Sequence, residues 1–156
     1  MADPRPPYHA YAAIFGTFLA GVAGTSALSR AFGRSPQCNT ALDLAALSLA
    51  TFKASRTLSH DKVTAFIREP FVKGDAYDGG EEPVEGGVEQ AIGELVTCSR
   101  CVGTWVAGAL TGAQVLAPRF GRVLTWSLGA AAVNDFLQAG FAAVTSKANA
   151  LEESRP

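Results

Sequence analysis

From Ala10 to Ser29 the chain reads AYAAIFGTFLAGVAGTSALS, without one charged side chain. At 1.5 Å per helical residue, about 20 residues reach about 30 Å, the thickness of a bilayer's hydrocarbon core. A water-soluble helix needs a polar face toward solvent, and this segment offers only Thr and Ser for one. A soluble alanine- and glycine-rich bundle is therefore the less favoured reading. Gly16, Ala20 and Gly24 recur four apart and form a smooth ridge for close helix approach. The run exceeds the apolar region of a signal peptide, about 7–15 residues, and is read as a retained signal anchor closed by Arg30 and Arg34.

Composition points the same way. Hydrophobic residues make up 48% and charged residues 17%, against roughly 25% charged in soluble domains. The net charge of −1 gives no basic surface for a nucleic-acid partner. Three cysteines do not make the even set of a disulfide framework.

Further apolar segments follow. Thr40 to Leu58 opens on Thr40-x-x-Asp43, a capping box, and closes on Lys53 and Arg56, whose long side chains suit a headgroup region. Only Leu44 to Phe52 is uncharged between them, so the segment is a short span or a helix lying in the interface. Ser59 to Val72 reads as a short amphipathic helix, capped by Ser59 and stopped by Pro70. Gly74 to Gly87 is rich in glycine and acids, the pattern of a water-exposed loop. Val102 to Ala117 is the third apolar segment, with Gly108 and Gly112 in a G-x-x-x-G pair. Val123 to Ser146 is the fourth, interrupted by Asn134, Asp135 and Gln138, and a polar tail follows from Lys147.

The expected fold is all-α: a small integral membrane bundle of four transmembrane helices at about residues 10–29, 40–58, 101–117 and 123–142. Residues 59–97 hold the amphipathic helix and the acidic loop, and polar tails occupy residues 1–9 and 147–156. With four spans both termini share a side with the middle loop. That side gathers Arg5, Arg56, Lys62, Arg68, Lys73, Arg100, Lys147 and Arg155, against Arg30, Arg34, Arg119 and Arg122. The positive-inside rule then puts the termini in the cytoplasm.

Four groups of residues could carry chemistry. Cys98 and Cys101 form a C-x-x-C pair on one helix face, where a helix N-terminus and Arg100 favour a thiolate. The pair admits simple packing, dithiol–disulfide cycling, lipid attachment, or two ligands of a zinc site completed by His60, His9 or another subunit. Asn134, Asp135 and Gln138 make an intramembrane polar cluster, with Lys53 and Arg56 as candidate charge partners of Asp135. It reads first as a structural hydrogen-bond cluster and second as an ion or proton site. Asp61 and Lys62 beside His60 read as a solvated helix start, and Arg68 with Glu69 as an interfacial helix end able to grip lipid phosphate. No nucleophile motif such as G-x-S-x-G is present, so enzymatic activity is not expected.

The succession RTLSHDKVTAFIREPFV, an acidic loop, and GELVTCSRCVGTWV resembles a bacterial family of small uncharacterised membrane proteins. That family carries a domain-of-unknown-function label, and some of its members are associated with sporulation. The resemblance covers roughly Ala41 to Ala143, and its most specific part is Thr-Cys-x-x-Cys-x-x-x-Trp. In the family a proline often follows the first cysteine, where this chain has Ser99. The resemblance implies the bacterial cytoplasmic membrane and no established reaction. Together these features lead to a non-enzymatic membrane component without a cofactor, associating with itself or another membrane protein. A thiol-redox or metal-binding membrane protein is the alternative.

Overall fold

The alternation of long uncharged runs with proline and glycine punctuation resolves into helices. The computed structural model describes residues 6–34, 40–75 and 80–153. Helix α1 spans Tyr8–Ala31 and starts behind Pro7, whose φ of −78° suits a helix beginning. It stops in a Schellman turn. Gly33 takes φ 61°, its N–H donates to the Arg30 carbonyl, and the Arg34 N–H donates to that of Ser29 at 2.8 Å. Only Ala10 and Ser29 of this helix are buried.

Helix α2 spans Ala41–His60 and begins with the anticipated capping box. The Asp43 N–H donates to Thr40 Oγ1 at 3.2 Å, and the Thr40 N–H donates to Asp43 Oδ2 at 3.1 Å. The short amphipathic helix expected from Ser59 to Val72 does not form as one piece. Ser59 belongs to the last turn of α2 and is buried. The chain continues through a 3-10 turn at Lys62–Thr64, a single turn α3 at Ala65–Arg68, and a second 3-10 turn at Glu69–Phe71 containing Pro70.

Two short strands, β1 (Val72–Lys73) and β2 (Glu82–Pro83), then pair antiparallel, with Val72 opposite Pro83 and Lys73 opposite Glu82. The acidic segment is thus partly structured rather than a bare loop, because Glu81 beside β2 is drawn inward by Arg68. Helix α4 (Gly87–Thr97) lies against this hairpin. A side chain at Gly93 would collide with the Phe71 carbonyl and Pro83, so glycine is what lets the helix seat there.

Helix α5 (Ser99–Leu116) starts two residues before the expected third span. Helix α6 (Pro118–Glu153) has Pro118 as its first residue and is unbroken through Asn134, Asp135 and Gln138. The polar tail expected from Lys147 continues as helix to Glu153, giving α6 a length of about 54 Å. The core is Ala50 of α2 with Val102, Val106 and Leu110 of α5, flanked by Leu124 and Leu128 of α6. Helix α1 joins at the periphery, against α4 and α5.

The chain is therefore helical, as anticipated, apart from the small β1–β2 pair. Of the described helices, α1 alone is long and apolar enough to cross a bilayer on length and composition. The others dilute their apolar residues with Gly, Thr, Ser and, in α2, with Asp43, Lys53 and Arg56. Arg5, Arg155 and Cys38 lie outside the described residues.

Candidate functional site

Between α4 and α5 the backbone leaves helical geometry at one residue, Cys98, with φ −102° and ψ 104°. That extended conformation makes Cys98 the N-cap of α5. Its Sγ accepts the Cys101 N–H at 3.3 Å, in the role an Asn or Ser oxygen ordinarily fills. The Cys101 thiol donates to the same Sγ at 2.7 Å. Both thiols are free; Cys98 is half-buried and Cys101 exposed. The Cys98 pKa is lowered, chiefly because the Cys101 S–H donates to its sulfur. The N–H groups of Cys101 and Arg100 and the Arg100 charge help, against the opposing effect of burial. A thiolate at a helix N-terminus, touched by a second thiol, is equipped for nucleophilic sulfur chemistry.

The platform under this junction is held by Arg68, which is 1% exposed. Its Nε and Nη2 donate to the two carboxylate oxygens of Glu81 at 2.7 and 3.0 Å. Its Nη1 donates to the Leu58 carbonyl at 2.7 Å, the Asp61 carbonyl at 3.2 Å and Thr64 Oγ1 at 3.1 Å. The forked pairing fastens the end of α2 to the hairpin that supports α4. Arg68 therefore does not reach for lipid phosphate, because its nitrogens are engaged inside the protein. Of its expected companions, Lys62 and Glu69 are exposed and Asp61 is half-buried. On the other side of α4, Tyr11 of α1 donates to Glu94 Oε2, and Gln90 donates to Glu94 Oε1 at 2.9 Å.

The polar residues of α6 separate. Asp135 pairs with Lys53 of α2 through Oδ2 and Nζ at 2.8 Å, the partner anticipated for it. Beside that pair Phe52 stacks on Phe136 with ring centroids 5.3 Å apart. Asn134, Gln138 and Arg56 are exposed and do not join it. The buried polar joint of α5 and α6 is a different one: Gln114 Nε2 donates to Thr125 Oγ1 at 2.9 Å. Sequence reasoning missed this joint, although Gln114 is the only amide in the third apolar segment, a signal that could have found it.

The small-residue motifs also differ in use. Gly108 and Gly112 receive α1, with Phe18 and Thr25 respectively above them, and Phe18 meets Trp105 edge-on at 5.4 Å. The face between α1 and α5 remains an open apolar groove of about 780 Å³. Gly16 and Gly24 have nothing within 4 Å of where a side chain would begin, and Ala20 between them is exposed. That ridge faces away from the rest of the chain. His60 is exposed. Among the described residues, no three or more His, Cys, Asp or Glu side chains are grouped to hold a metal ion.

These features define a small helical protein built on α2, α5 and α6, with a dithiol at the start of α5 and a peripheral apolar helix. The chain belongs to the family described as protein of unknown function (DUF1360), whose profile matches residues 46–141. It is 38% identical over 86 residues to the sporulation protein YjcA of Bacillus subtilis (strain 168), across 50% of this chain and 72% of that protein. No solved structure matches it. The matched region begins within α2 and ends within α6. It contains Arg68, Glu81, both cysteines and Asp135, and leaves α1 outside.

Proposed function

We propose that the protein is an accessory component of the bacterial cytoplasmic membrane that crosses the bilayer four times and assembles through its helix faces. The relative's name suggests sporulation as its setting. One observation carries the reading: large apolar side chains are exposed along α1, α2 and α6. Phe15 and Leu19 of α1, Leu42 of α2, and Phe120, Phe136 and Phe141 of α6 are exposed. Apolar surface spread this widely is costly in water and compatible with lipid. Helices α1, α2 and α5 are about 36, 30 and 27 Å long, close to the hydrocarbon thickness of about 30 Å. In this reading α6 crosses with its first half and projects its polar end. Lys53 and Asp135 neutralise each other where an unpaired charge would be expensive.

Tags at both ends of the full chain, with protease digestion of sealed vesicles before and after permeabilisation, test the topology. Both tags should share the cytoplasmic side, and alkaline washing should leave the protein in the membrane. Release by alkali, or tags on opposite sides, would rule the four-span reading out.

A further inference from the structure

The two sulfurs at the head of α5 have a chemistry that membrane assembly does not use. We propose that Cys98 and Cys101 form a thiol–disulfide exchange centre acting on disulfide substrates, with Cys98 attacking and Cys101 resolving. The geometry assigns the roles. Cys98 Sγ accepts the Cys101 N–H at the start of α5 and has the Cys101 thiol against it, an arrangement that favours negative charge at Cys98 over Cys101. The two sulfurs are in direct contact, as a resolving step between them requires. Neither cysteine lies in the groove between α1 and α5, and Cys98 is partly open to solvent beside the exposed Cys101. The lowered pKa of Cys98 raises its thiolate fraction near neutral pH.

The exchange balances in two displacements. The Cys98 thiolate attacks one sulfur of the substrate disulfide. That bond breaks, the first substrate thiolate leaves and takes up a proton, and a mixed disulfide remains on Cys98. Cys101 then releases its proton to solvent and its thiolate attacks Cys98 Sγ. The mixed disulfide breaks, the second substrate thiol departs, and a Cys98–Cys101 disulfide is left. Two electrons have passed from the dithiol to the substrate, and a small-molecule thiol restores the reduced pair.

The inference does not depend on the membrane reading, so the two can fail separately. The test uses the reduced full-length chain in detergent with Cys38→Ser, and dithionitrobenzoate as the probe disulfide. This chain should release two coloured thiols and retain no adduct. With Cys101→Ser added, it should release one and retain one as a mixed disulfide. With Cys98→Ser instead, the reaction near pH 7 should be at least about tenfold slower than with Cys101→Ser. In the Cys101→Ser chain, where a serine O–H still donates, the alkylation rate of Cys98 should reach half its plateau below about pH 8.5, the ordinary thiol value. Two retained adducts in the Cys38→Ser chain, or equal rates for the two single-cysteine chains, would overturn the proposal. So would a bound zinc ion that blocks both thiols until a chelator is added.

Discussion

Arg68 shows how far one side chain can depart from its sequence context. An arginine in Arg-Glu-Pro at a helix end reads as an interfacial cation, yet here it is buried and forked onto Glu81, thirteen positions away. Removing one partner of such a pair strands the other charge, at about 3–5 kcal/mol. Arg68→Ala should therefore lower the unfolding free energy in detergent by that amount, while Arg68→Met with Glu81→Leu should recover much of it. A loss below about 1 kcal/mol for Arg68→Ala would mean that the pair is solvated. Ser59 makes the opposite case. Its Oγ is buried and finds no hydrogen-bond partner among the described residues. Ser59→Ala should raise stability by about 1 kcal/mol or more, since an unsatisfied buried hydroxyl costs about 1–3 kcal/mol. A destabilised variant would show that the hydroxyl does have a partner. Both residues stood out in the sequence in other roles, Ser59 as a cap and Arg68 as an interfacial cation, and their burial depends on the packing of the turn between α2 and α4.

At the scale of an element, the beginning of α5 is set by Cys98 leaving the helix and capping it, with Ser99 as the first helical residue. Proline suits that first position, where the N–H needs no intrahelical partner. Ser99→Pro should be neutral or stabilising by up to about 1 kcal/mol, measured as a shift in thermal unfolding. A clear loss of helix by circular dichroism would contradict the assigned boundary. The two glycine motifs separate in the same way. Gly108 lies beneath Phe18, so Gly108→Leu should loosen α1 from α5 and destabilise the monomer. Among the described residues nothing occupies the Gly16 and Gly24 positions. Gly16→Leu with Gly24→Leu should leave the monomer's unfolding unchanged and reduce cross-linked oligomer in vesicles. Unchanged cross-linking would remove that ridge from any assembly. Both motifs were legible as small-residue spacings, but which of them packs inside the chain was not.

Over the whole molecule, α2 is the hub, contacting α4, α5 and α6, while α1 touches α4 and α5 from outside. The Lys53–Asp135 pair joins α2 to α6, and its side chains are 24% and 42% exposed. In detergent, where water reaches such a pair, Asp135→Asn should cost less than about 1 kcal/mol. Asp135→Leu should cost more, because Lys53 then has neither ion pair nor acceptor. Equal unfolding of the two variants would count against the pair as a fastening of α6. The family match begins inside α2 and ends inside α6, so it covers the part of the chain from α2 to α6 and leaves α1 on its flank.

Local patterns were enough for what local physics controls. The capping box of α2 and the helix over Ala10 to Ser29 follow from spacing and charge within a short stretch of chain. Helix bounds and inward charges required the tertiary structure. Glu81 looks like one acid among several until Arg68 selects it, and the polar stretch after Lys147 looks like a tail until α6 carries through it. Burial and long-range pairing set those outcomes, and neither is a property of a short window of sequence. The uncharged segment from which the chain was first read keeps its helix and its bilayer length. Tertiary packing added that this helix leaves one glycine face open and gives the other side to α5, because only Phe18 and Thr25 meet the notches at Gly108 and Gly112.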